Sequence, residues 1–217
     1  MRKLMALPEV TGRERIQLYA STMLFQWALT AVVAWRAFAR GISLPELGIM
    51  NGWRSSILLL AAGGATFIAV GHWMNVRRMA EANHPAAEKL RAMAVRLFPR
   101  SAVQMLFFVT LALTAGICEE FIFRGFAIAA LFRLGLSKWA VILLSSAMFG
   151  AAHLYQGKGG SVGTGVVGAL FAVVRIAYHS LLPGLIWHTV LDIVAGVAGA
   201  RYFVAAPNKN VVLHNTP

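Results

Sequence analysis

The sequence predicts an all-α protein: a polytopic transmembrane helix bundle of about six spans, with a basic amphipathic helix on the membrane surface. Three observations predict it. Of the 217 residues, 59% are hydrophobic and only 13% are charged, about half the charged share of an ordinary soluble domain. Mean hydropathy is +0.67. The apolar residues gather into long runs bounded by arginine and lysine, as a bilayer core about 30 Å thick requires of spanning helices.

The first run, 16–35, carries no charge. It starts too late and runs too long for a cleaved signal core, so it reads as a retained helix despite the Ala37-Phe38-Ala39 triplet. The second run, 55–76, is interrupted only by His72. Pro85 can then open a helix. Ala86, Ala87, Leu90, Met93, Ala94, Leu97 and Phe98 recur at helical spacing, with Glu88, Lys89, Arg91 and Arg96 between them. This segment reads as a basic amphipathic surface helix or a plain connecting helix.

The third run, 101–118, continues its apolar character past Glu119 and Glu120 through Phe121, Ile122 and Phe123. The fourth, 139–157, has His153 near its end. The fifth, 159–174, ends at Arg175, which can snorkel to the interface. The sixth, 184–202, encloses His188 and Asp192. Small residues, among them Gly163, Gly165, Gly168, Gly196 and Gly199, permit close helix packing in this half. The expected organisation is 1–100 for the N-terminal membrane helices and basic connector, 101–203 for a catalytic membrane core, and 204–217 for a short tail.

Net charge is +12. The cations flank apolar runs and no nucleic-acid-binding motif is present, so the expected partner is membrane lipid and not nucleic acid. Most of them, including Arg2, Lys3, Arg13, Arg15 and the run from Arg77 to Arg100, fall on one side of a six-span bundle. The positive-inside rule then puts both termini in the cytoplasm. The single cysteine, Cys118, excludes an internal disulfide and a cysteine metal site, and reads as a small packing residue.

Chemistry is expected where ionisable groups enter apolar spans, because each costs a few kcal/mol there. Glu119, Glu120 and Asp192 are the acids so placed. Glu120 and Arg124 are four apart and face each other on one turn. That leaves Glu119, about 100° around the helix, without that partner and suited to act as a general base toward water. Phe149 and His153 share a face by the same spacing, as do His188 and Asp192. Asp192 can orient His188, or both can contact a metal or a reaction intermediate. Polar residues on three spans make one shared pocket more economical than separate helix–helix contacts.

Taken in order, Glu119-Glu120-Phe-Ile-Phe-Arg124, Phe149-Gly-Ala-Ala-His153 and His188-Thr-Val-Leu-Asp192 resemble the motifs of the CPBP family. That family includes type II CAAX prenyl endopeptidases and bacteriocin-processing or immunity proteins. The resemblance implies an intramembrane endopeptidase acting on membrane-associated or lipidated proteins or peptides. It implies that Glu119 activates water with His153, that Arg124 holds Glu120, and that His188 and Asp192 form the far side of the pocket. Asp192 stands where the prenyl-protease branch often has Asn; an ionised Asp cannot donate to an oxyanion, so orientation of His188 or metal binding suits it better. His153, His188 and Asp192 are the candidate ligands if Zn²⁺ or another divalent metal takes part; a metal-free mechanism fits the same residues, and the motif His-Glu-x-x-His is absent. The expected location is a bacterial cytoplasmic membrane. The competing readings are a non-enzymatic membrane protein for bacteriocin self-immunity or partner binding, and a proton-coupled transporter, for which no repeat is visible.

Overall fold

The structure, a computed structural model, describes residues 10–51, 53–81 and 85–204, with side chains described outside 85–90. The cations at Arg2, Lys3 and Lys209 and the tail beyond Val204 lie outside the described residues.

Helix α1 is Gly12–Ala39, opened by a capping box between Thr11 and Glu14. A one-turn helix, α2 (Leu44–Leu47), follows, with Ser43 and Glu46 forming a second capping box and Gly48 closing it at φ +79°. Next come α3 (Ser55–Glu81) and α4 (Pro85–Leu97). Helix α5 (Ala102–Glu119) starts on the Ser101 cap and runs without a break through a π-helical segment, Glu120–Ala127, into α6 (Ile128–Arg133). Helices α7 (Lys138–Ala152), α8 (Lys158–Tyr178) and α9 (Leu182–Gly199) complete the bundle, and α9 ends in a π turn, Ala200–Val204. Among the described residues there is no strand.

Among the described residues, five helical stretches are long and apolar enough to cross a membrane: Gly12–Ala39, Ser55–Glu81, Ala102–Arg133, Lys158–Tyr178 and Leu182–Val204. The expected fourth span is shorter than its apolar run. Helix α7 has 15 residues, a length of about 22 Å. It stops at His153, and the chain turns through Leu154–Gln156 to Gly157 at φ +84° before α8 begins. The amphipathic segment is helical, as its periodicity predicts.

Helix α9 lies against α3, α5 and α8, while α1 lies along α5 and α7 along α8. Trp187 Nε1 donates to the Ala61 carbonyl at 3.0 Å and ties α9 to α3. Three buried clusters fill the bundle. One is built on Val76, Ala94, Ala198 and Phe203, one on Ala37, Ile42, Leu47 and Ala129, and one on Ile128, Val141, Ile142 and Ala172. Outward faces carry Leu24, Phe25, Leu59, Phe67, Leu106 and Leu143 exposed. Such extended apolar surface suits lipid and not water; the protein is an integral membrane protein.

Two arginines depart from the flanking role expected of them. Arg15 is buried and donates to the carbonyls of Val10, Val95 and Arg96 and to Gln104. Arg175 does not snorkel: it is buried and donates to the Glu46 carbonyl. A guanidinium can serve several carbonyls at once, which makes it a clamp where a loop must be held against helices.

Candidate active site

The site begins with the register of α5. Cys118, Glu119 and Glu120 end the regular helix, and the wider π turn starts at Glu120. π segments inside α-helices are rare and recur at functional sites. Glu120 and Arg124 lie on this turn, both with side chains only 1% exposed, and Arg124 Nη1 meets Glu120 Oε1 at 3.0 Å. The guanidinium also stacks on the Phe149 ring at 3.9 Å. The expected ion pair is therefore present and buried. Gly184 makes room for it, because a Cβ there would stand 2.8 Å from Glu120 Oε2.

His188, on α9, donates from Nδ1 to the same Glu120 oxygen at 3.0 Å. A carboxylate only accepts, so this contact puts the proton on Nδ1 and turns Nε2 toward the pocket. Here the geometry corrects one expectation. Glu120, and not Asp192, orients His188: Asp192 Oδ2 lies 3.7 Å from His188 Nε2, beyond direct hydrogen-bond distance. Asp192 is 40% exposed and forms the accessible side of the group.

His153 caps the end of α7. Its Nδ1 donates to the Phe149 carbonyl at 2.8 Å, and its ring lies 4.6 Å from the Phe149 ring. Both contacts aim Nε2 at Glu119. Phe149 thus touches Arg124, His153 and His188 at once.

Glu119 is the point on which these groups converge. Its Oε2 lies 3.7 Å from His153 Nε2 and 3.8 Å from His188 Nε2. That oxygen is buried and makes no hydrogen bond. Its other oxygen, Oε1, accepts from Gln26 Nε2 on α1 at 2.8 Å. Glu119 therefore has a polar partner that its local sequence does not disclose. Tyr155 stands at the rim, its ring 5.7 Å from that of His153.

All the sequence-predicted residues, Glu119, Glu120, Arg124, Phe149, His153, His188 and Asp192, thus lie in one contiguous group. Gln26, Tyr155 and Gly184 were not singled out by the motifs. A lone amide or tyrosine carries no spacing signal, and Gly184 is one small residue among many.

The donor chemistry suits a divalent cation in part, since both histidines keep Nε2 free of protein hydrogen bonds. Among the described residues no group of three or more His, Cys, Asp or Glu is disposed to hold a metal ion.

Compared with known proteins, residues 101–194 match the family model described as type II CAAX prenyl endopeptidase, Rce1-like. No curated protein and no solved structure matches the chain. The matched segment holds every motif residue named above and excludes Gln26.

Proposed function

We propose, on the premise that residues 101–194 belong to the Rce1-like family of type II CAAX prenyl endopeptidases, that this protein is an intramembrane endopeptidase for membrane-associated or lipidated proteins or peptides, with Glu119 and His153 activating water. The observation that carries the reading is Glu119 Oε2, a buried oxygen without a hydrogen bond that faces two imidazole Nε2 atoms at 3.7 and 3.8 Å. Separations of that size are bridged by one water oxygen.

In this reading Glu119 takes a proton from that water as the oxygen attacks the scissile carbonyl. The carboxyl group then returns the proton to the leaving amine nitrogen. His153, with Nδ1 committed to Phe149, steers the water through Nε2. His188, held by Glu120, donates from Nε2 in its protonated form to the oxygen that gains charge. Burial strengthens each contact, because water does not screen it. Asp192, at the accessible side, orients the incoming chain.

The test is a proteome-wide comparison of protein N-termini in cells carrying the wild-type chain or Glu119→Gln. The expected outcome is a set of termini lost in the variant, with turnover on any such substrate falling by about two to four orders of magnitude. Unchanged termini, with both proteins equally abundant in the membrane, would sink the peptidase reading and favour an immunity or partner-binding role.

A metal held by His153, His188 and Asp192 is a separate proposal. Glu119-dependent cleavage that survives exhaustive chelation assigns water activation to the carboxylate alone. Loss on chelation with recovery on Zn²⁺ addition makes the activity metal-dependent, and loss of bound Zn²⁺ in His153→Ala, His188→Ala and Asp192→Ala would assign those three residues as ligands.

A further inference from the structure

We propose that Gln26, on α1, is the positioning residue that selects which oxygen of Glu119 does the chemistry, so that the first span completes the site from outside the family segment. The inference rests on the peptidase reading above.

The two oxygens of a carboxylate are equivalent until something distinguishes them. Gln26 Nε2 donates to Oε1 at 2.8 Å, while Oε2 faces His153 and His188. The amide cannot be turned over without loss, since a carboxylate has no proton to give the amide oxygen. Pinning Oε1 therefore fixes the carboxylate plane and leaves Oε2 as the base atom. No other hydrogen bond to the Glu119 side chain is found among the described residues.

Helix α1 is built to hold that amide still. At its start, Arg15 donates to the carbonyls of Val95 and Arg96, and Tyr19 to that of Leu97. These contacts fix the axial position of α1 against the last turn of α4. Gln26 follows Tyr19 by seven residues, and Thr30, buried, follows Gln26 by four, so all three share the face turned to α5. The amide oxygen of Gln26 is itself buried and has no partner. A desolvated acceptor of this kind is unfavourable unless something uses it; a water or a backbone N–H of the substrate is the chemistry it fits.

A purely structural role, an amide joining two helices, would use the same bond. The two roles separate in Gln26→Met, which keeps the length and removes the donor. The assay is cleavage of a farnesylated reporter peptide ending in a CAAX sequence, by protein reconstituted in lipid nanodiscs. The expected result is a kcat lower by about tenfold or more with KM unchanged and equal protein abundance. In a Glu119→Asp background, where the shortened carboxylate has already left the amide, Gln26→Met should cause no further loss. Infrared difference spectra of Gln26→Met against wild type should show a shifted carboxyl band that is absent when both carry Glu119→Gln; this readout needs no turnover. Wild-type kcat, an equal loss in the Glu119→Asp background, or an unshifted band each overturns the proposal. Full activity of Glu119→Gln would instead overturn the peptidase reading. If wild-type protein leaves the reporter uncut, the same kcat and KM comparison is made on a substrate identified by its Glu119-dependent N-terminus, and the absence of any such substrate overturns the peptidase reading itself.

Discussion

Arg124, Glu120 and His188 form a chain of charge and hydrogen bonds in which each member has lost its water. Breaking a buried ion pair from one side costs about 3–5 kcal/mol, because the remaining charge is stranded. Arg124→Met should therefore lower the stability of the purified protein by about that much, read as a lower midpoint of thermal unfolding in detergent. The double variant with Glu120→Gln should recover part of the loss. Glu120 and Arg124 were legible as a pair because they lie four positions apart on one helix, whereas the contact of His188 with Glu120 spans 68 positions and carries no spacing signal. Gln26 was not legible either. Its partner, Glu119, lies 93 positions along the chain, and only the packing of α1 on α5 brings them together.

On the scale of single elements, Gly184 and the short helix α2 make different demands. Gly184→Ala would place a methyl group 2.8 Å from Glu120 Oε2, and this carboxylate cannot swing away without releasing Arg124 and His188. Overpacking of this kind costs about 1–3 kcal/mol, so the expected outcome is a less stable protein whose cleavage rate falls more than its abundance. Helix α2 is pinned from outside: Arg133 donates to both Glu46 oxygens and to the carbonyls of Arg40 and Gly41. Bonds from Arg133 and Ser43 bring the Glu46 carboxyl down from 4.5 to about 2. A carboxylate lowered on folding stabilises fully above its unfolded value and loses that effect as pH falls through its folded value. Hydrogen exchange over 42–49, corrected for intrinsic rate, should therefore be unchanged from pH 7 to pH 5 and loosen only between about pH 4.5 and 2. The exposed pair contributes little in any case. Two features of these elements escape a reading of periodicity. The π turn at Glu120 leaves the apolar pattern of its helix intact. The end of α7 is hidden because Leu154 and Tyr155 extend the apolar run past the last helical residue.

For the molecule as a whole, the bundle and its helical content were legible, since every span announces itself as a long apolar run. The order of packing was not, because nothing in a run says which neighbour it meets. Helix α9 lies against three others and carries two of the polar residues, whereas α1, the most distant in sequence, supplies Gln26. The flanking cations, now without the buried Arg15, Arg124 and Arg175, predict cytoplasmic termini. A reporter fused to either terminus should be active only in the cytoplasm; activity outside would reverse the assignment.

The fifteen-residue helix α7 bears on the lipid around it. A hydrophobic length of about 22 Å beside neighbours that exceed 30 Å sets up a mismatch, which the bilayer meets by thinning locally. His153 closes that helix, so the dimple would form beside the proposed active site, drawing headgroups and water down to it. Cleavage should then depend on acyl chain length. In vesicles of matched headgroup, rates should rise as the lipid tails shorten toward the length of α7 and fall as they lengthen, with the Glu119→Gln protein flat across the series.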